Sequence, residues 1–173
     1  MERLPSVSGI PNTTATLLET AEMKRNAISL VTAAAFTTLL FAAGCSDDGP
    51  AKEAGESVDE AVEEFGKIDV LANNAGIAHF GDLVEMDEAM WDEMLDTNLK
   101  GVWLASKHVG QHFVERGDGG KIVSTSSIYG LVAGPGSGHY IAAKHGVLGL
   151  TKTLALELAE YDVNVNAVCP TGV

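Results

Sequence analysis

The sequence predicts an α/β fold, a parallel sheet covered by helices. Three observations carry this. Short apolar runs alternate with helical patterns from residue 57 onward, each run ends in a turn of small polar residues, and glycine-rich turns punctuate the series. Strands that alternate with helices pair in parallel, and helices then cover both faces of the sheet.

Taken in order, residues 1–22 (MERLPSVSGIPNTTATLLETAE) are polar and mixed and fit no element. Residues 23–45 begin with Lys24 and Arg25, run apolar from Ala27 to Gly44 and stop at Cys45. A basic start, an apolar middle and small residues at the end describe a secretory signal. The closing LFAAGC resembles the lipobox of bacterial lipoproteins, which would lipidate Cys45. The other reading is a buried core helix, since a run this short also suits a core. Residues 46–56 (SDDGPAKEAGE), with Gly49, Pro50 and Gly55 among charges, read as a linker.

Residues 57–173 form the regular unit. Ser57 with Glu60 makes a capping box, Val58, Ala61, Val62 and Phe65 form an apolar stripe, and Gly66 ends the helix. Residues 67–72 form a strand that ends in NNAG. Asp87 to about Glu115 reads as one long helix, GDGG (117–120) as a turn and residues 121–127 as a second strand. After the glycine-rich loop 130–138, a helix runs from Tyr140 to Glu160, apolar on more than one side. Residues 163–169 form a third strand. In open parallel sheets ligands bind at the C-terminal ends of the strands. That edge would hold Asn73–Gly76, Ser126–Ser127 and Pro170–Gly172.

Composition narrows the partners. Twenty-four Asp and Glu face 11 Lys and Arg, a net charge of −13, which repels phosphate backbones and argues against nucleic acid. Two distant cysteines, Cys45 and Cys169, make neither a disulfide framework nor a zinc site. His108 and His112 lie one turn apart without an acidic partner motif, so a solvated helix face is expected there and no metal. Trp91 and Trp103 read as packing residues.

Five stretches carry a resemblance: NNAG (73–76), TNLKG (97–101), IVSTSS (122–127), YIAAK (140–144) and VNAVCPTGV (165–173). In this order and near this spacing they resemble the short-chain dehydrogenases/reductases, with Ser127 and Tyr140 thirteen residues apart as in that family. The resemblance implies a Rossmann-like, doubly wound parallel sheet, a nicotinamide cofactor (NAD or NADP) and an alcohol or ketone as substrate.

Tyr140 and Lys144 share one helix face. A free phenol titrates at about 10 and is a poor base near neutrality, and a neighbouring ammonium favours the phenolate. The family's roles, carried over, make Tyr140 the proton donor or acceptor and Ser127 the hydrogen-bonding partner of the substrate oxygen. Lys144 would also bind the nicotinamide ribose, and Asn98 would disturb its helix and hold a relay water. Asn74, Ala75, Gly76, Pro170 and Val173 would line the cofactor, together with Tyr140 and Lys144. Thr171 stands where the family usually has glycine.

The family opens with a strand, a G-x-x-x-G-x-G turn and a helix that cradle the pyrophosphate. The glycines before residue 66 (Gly9, Gly44, Gly49, Gly55) do not fit that spacing. The expectation is therefore an incomplete Rossmann-like domain over 57–173, without its first βαβ unit or its C-terminal substrate region. It would be fused to foreign sequence and have little turnover, with cofactor binding in doubt. The competing expectation is a non-catalytic lipoprotein, anchored to a membrane through Cys45 and keeping the domain as scaffold. Without that anchor the protein would be cytoplasmic. The apolar helices around 100–114 and 140–150 further suggest a homo-oligomer.

Overall fold

The computed structural model describes residues 31–32 and 50–171. Its sheet has four strands in sequence order, β1 (Val31–Thr32), β2 (Val70–Asn73), β3 (Gly120–Thr125) and β4 (Val163–Val168), and every neighbouring pair is parallel. The three strands expected from the sequence are thus present, adjacent and parallel. The first starts at Val70 and not at Lys67, although its pairing begins earlier, with Lys121 N–H donating to Asp69 O at 3.1 Å.

β1 falls inside the 23–45 segment expected as an apolar helix. At Val31 and Thr32 the backbone is strand, paired with Leu71 and Ala72. Both are β-branched residues that favour a pleated surface. The rest of that segment, Cys45 included, lies outside the described residues, as do residues 1–22. No helix among the described residues is long and apolar enough to cross a membrane.

Four α-helices accompany the sheet among the described residues. α1 (Pro50–Phe65) starts seven residues before the expected cap at Ser57. Proline suits the first helical position, where its missing N–H costs nothing. Residues 50–56 of the expected linker are therefore helical. Gly55, read as part of that linker, lies inside α1, and its missing side chain leaves room for the His108 ring, 3.1 Å from where a Cβ would stand. Gly66, at φ +83°, ends the helix as expected.

The long helix expected over 87–115 is broken. α2 (Glu88–Leu95) is capped by Asp87, whose side chain accepts from Met90 N–H at 2.8 Å. A π-helical turn, Asp96–Lys100, follows, and Gly101 N–H bonds back to Asp96 O. α3 (Gly101–Arg116) then runs to a left-handed Gly117. α4 (Gly138–Glu157) begins two residues earlier than expected and ends in a short 3-10 turn, Ala159–Tyr161.

Leu71, Ile122 and Val165 stand side by side in register across β2, β3 and β4, and all three are buried. They meet Ala54 and Val58 of α1, Leu104, Val109 and Phe113 of α3, and Leu154 of α4. Burying each large side chain is worth about 1.5–3 kcal/mol, so this row fixes the register as firmly as the ladder does. The described helices thus share one face of the sheet. On the other face Lys121, Asn164 and Asn166 are exposed. Trp91 and Trp103, expected to pack, are 38% and 43% exposed.

Candidate active site

The C-terminal ends of β2, β3 and β4 lie along one edge, and each continues into polar residues. Asn73, the last residue of β2, turns inward. Its buried Nδ2 donates to Ser106 Oγ (3.0 Å) on α3 and to Ser124 Oγ (3.1 Å) on β3, which pins the start of the NNAG turn. Asn74 points outward and accepts a hydrogen bond from Thr125 Oγ1 at 3.0 Å. Ala75 packs half-buried against the core, and Gly76 follows.

Asn98 sits in the π-helical turn and is completely buried. Its carboxamide clasps one residue from both sides: Oδ1 accepts from Ile77 N–H (2.8 Å) and Nδ2 donates to Ile77 O (2.7 Å). Nδ2 also lies 2.9 Å from Met94 Sδ. The expected disturbance of the helix is thus a π turn that carries this side chain. Gly76 fits where no larger residue could, since a Cβ there would lie 2.8 Å from Asn98 Oδ1 and 3.8 Å from Lys144 Nζ.

Lys144 is 5% exposed, and its Nζ donates to Thr125 O at 2.7 Å. The same ammonium lies 5.5 Å from the centre of the Tyr140 ring. Burial pushes its pKa below the usual lysine range, because the charge has been taken from water into the protein. Tyr140 is half-buried, and its ring meets Tyr129 edge to face at 6.4 Å. Tyr129 also reaches Ser127: its N–H donates to Ser127 Oγ at 3.1 Å, capping the 3-10 turn Ile128–Gly130. Pro170, exposed at the end of β4, accepts from Ile128 N–H at 2.9 Å. Ser126 is buried and donates to Lys144 O at 3.0 Å.

One cluster therefore holds Gly76, Asn98, Tyr140 and Lys144, and Tyr129 links Ser127 to it. Asn74 and Pro170 join through Thr125 and Ile128. Val173 lies outside the described residues. Sequence reasoning missed Thr125, whose carbonyl receives the lysine, and Tyr129, which touches both flanking site residues. The row STSS offered a signal for Thr125, since a strand end at Ser127 exposes the carbonyls just before it. Nothing in the sequence marked Tyr129.

The histidines depart from expectation. His108 and His112 are half-buried between α1 and α3 and do not sit on a solvated face. His112 Nε2 accepts from Ile68 N–H at 3.3 Å, which requires an unprotonated nitrogen. Burial first, and then the Arg116 charge, push its pKa down.

The sequence pattern of the family described as short chain dehydrogenase matches residues 12–173. The match reaches upstream of the junction expected near residue 57, in keeping with β1 joining the sheet. A putative short-chain type dehydrogenase/reductase of Mycolicibacterium smegmatis is 49% identical over 117 residues, 67% of this chain and 42% of that protein. A 3-oxoacyl-(acyl-carrier-protein) reductase of Staphylococcus epidermidis is 46% identical over 118 residues, 68% of this chain and 48% of that one. The crystal structure of carveol dehydrogenase from Mycobacterium avium in complex with NAD is also similar. It superposes with a TM-score of 0.67 at 42% identity, covering 69% of this chain and 44% of that one. The chain spans about half the length of the curated relatives it matches, 42–48% for these two.

Proposed function

The chain belongs to the short-chain dehydrogenase family, and from that premise we propose that it is a nicotinamide-dependent oxidoreductase acting on a small alcohol or ketone. The observation that carries this reading is Lys144: a buried ammonium bonded to a backbone carbonyl, against the Tyr140 ring and a glycine that leaves space beside it. A cation held this way keeps charge available for a neighbouring phenol and for a ribose hydroxyl.

The donor set suits the nicotinamide end of NAD or NADP. Lys144 and Tyr140 would hold the ribose, and Asn74, Ala75, Gly76, Pro170 and Val173 would line the rest. When bound, the nicotinamide takes or gives a hydride at the substrate carbon. Ser127 orients the substrate oxygen through its hydroxyl, which keeps its proton free to donate while Oγ accepts from Tyr129. Tyr140 gives its proton to a carbonyl oxygen in reduction, or takes one from an alcohol in oxidation. Asn98 holds a relay water with the lone pair of Oδ1 that Ile77 leaves unused.

The pyrophosphate end suits less well. The sequence after β1 reads AAAFTTLL (33–40) and has no glycine. The family's G-x-x-x-G-x-G spacing falls there on Ala33, Thr37 and Leu39. Holding reactants in place accounts for roughly 7–11 kcal/mol of a barrier, and much of that hold comes from remote parts of the cofactor. We therefore propose little turnover for this chain as it stands.

The test is a titration of NADH and NADPH followed by nicotinamide fluorescence, for this chain and for its Ala33→Gly, Thr37→Gly, Leu39→Gly variant. The expected result is micromolar binding by the variant alone. Micromolar binding by the unaltered chain would overturn the low-turnover part, and failure of both would overturn the oxidoreductase reading.

We also propose self-association. Leu95, Leu99, Trp103 and Leu150 line an open groove of about 620 Å³ between α3 and α4, floored by Gly146 and Gly149. Light scattering at high concentration should report a dimer or larger.

A further inference from the structure

His139 is 0% exposed and stands immediately before Tyr140 in the first turn of α4. Neither of its ring nitrogens has a hydrogen-bond partner among the described residues. A neutral imidazole carries one donor and one acceptor, and leaving both unpaired in the interior is costly. An apolar side chain of similar size would fill the same space without that cost. The polar ring is therefore informative.

Its surroundings suggest what the ring serves. The segment after the NNAG turn runs alongside the first turn of α4 and is fastened at both ends. At one end Ile77 is clasped by Asn98. At the other, Gly81 N–H donates to Gly136 O at 2.9 Å, and Gly81 pairs with Ser137, the residue before α4. Leu83 packs against Gly138 so closely that a Cβ there would collide with it. Between these fastenings lies His79, close enough for its charge to act on His139 and 3.7 Å from Glu93 on α2. Burial first, and then His79, push the pKa of His139 down, which favours the neutral ring, able to donate and accept at once.

We propose that His139 is a positioning residue of this site: its imidazole joins the first turn of α4 to the segment Ile77–Gly81 through one enclosed water, and so fixes Asn98 and Tyr140 relative to each other. A water enclosed in this way bonds to both polar groups at little entropic cost. What is positioned rests on the oxidoreductase reading. The test reads geometry and not turnover, so the two can fail separately.

Hydrogen exchange over residues 77–83 is measured in the full chain and in its His139→Leu and His139→Gln variants. The leucine variant should exchange there on the order of tenfold faster, the size of one lost hydrogen bond. The glutamine variant should stay near the parent, because its carboxamide offers both a donor and an acceptor. Unchanged or slower exchange with leucine would overturn the proposal, marking His139 as a core filler.

Long-range ¹H–¹⁵N correlation of the histidines supplies a check that needs no leucine variant, with His139 assigned by the signal lost in the glutamine variant. A single neutral tautomer with a slowly exchanging ring N–H, persisting below the pH at which an ordinary histidine titrates, is expected. A ring that titrates at the ordinary histidine value, with a rapidly exchanging N–H, would overturn the proposal.

Discussion

Arg116 at one edge of the sheet and Lys144 at the other are cations largely withdrawn from water, and the two are kept differently. At the N-terminal edge Arg116 donates to Ile68 O, to Gly119 O (2.6 Å) and to Asp118, and its guanidinium lies 3.3 Å from Asp69. Its planar fork is turned toward two carbonyls and two carboxylates. At the C-terminal edge Lys144 has the Thr125 carbonyl and the face of Tyr140, and no ion pair among the described residues. The first cation is neutralised and serves as a clamp. The second keeps its field, which a reaction can use. Charge left unneutralised in a protein interior is expensive, and the site bears that cost where the clamp does not.

The largest expected effect removes what the second cation acts upon. In the variant carrying glycine at 33, 37 and 39, Tyr140→Phe should lower turnover by about 10²–10⁴-fold, the usual worth of a positioned acid or base. The ring contact with Tyr129 survives, so the melting temperature should hold, as a thermal scan beside the rate assay will report.

Arg116→Ala breaks the other edge. Two carbonyls and two carboxylates lose their donor, and urea unfolding should show a loss of about 2–4 kcal/mol. In the variant carrying glycine at 33, 37 and 39, nicotinamide binding by the molecules that remain folded should not change. A drop in binding at constant stability would erase the distinction between clamp and site.

Gly130→Ala sharpens the comparison at closer range. A Cβ at Gly130 would collide with Ser126 Oγ and stand 3.0 Å from Lys144 O. Overpacking of this kind costs about 1–3 kcal/mol, measurable in the same urea series. The strain falls on the turn that Ser127 caps, so in the variant carrying glycine at 33, 37 and 39 cofactor affinity should fall as well.

The smallest effect is shared by both edges. His112 and His139 have pKa values pushed below the usual 6.5 of histidine. Below that value the unfolded chain therefore takes up protons that the folded chain refuses. Their contribution to stability is complete above about pH 6.5 and is lost as the pH falls through the window beneath it. Melting temperatures between pH 7.5 and pH 5 should decline, and His112→Gln should flatten part of that slope.

The sequence located the three strands to within a few residues because each is a short apolar run ending in polar turn residues, and burial on one face fixes that pattern. The i, i+4 spacing put Tyr140 and Lys144 on one helix face, while only the family resemblance pointed to Asn98. The sequence reading misjudged what depends on contacts between distant segments. Gly55 resembles a linker residue until the ring of His108 is seen packed where its side chain would be. Trp103 resembles a core residue until the helix is seen to turn it outward. His139 carried no signal at all, because a histidine is buried or exposed according to what crosses it, and here that is a segment sixty residues away in the chain.

The π-helical turn at Asp96–Lys100 acts as a phase shifter. It uses one more residue than an α turn would, and each residue of an α-helix is worth about 100° of rotation. Everything downstream is timed by that offset: Leu104, Val109 and Phe113 meet the sheet, while Trp103 faces away toward the groove. Deleting one residue from the turn would wind it back to a regular helix, swinging the apolar stripe off the sheet as it pulled Asn98 away from Ile77. The edge that carries Asn98 and the outer groove are therefore geared together, and a change of length at this turn alters both.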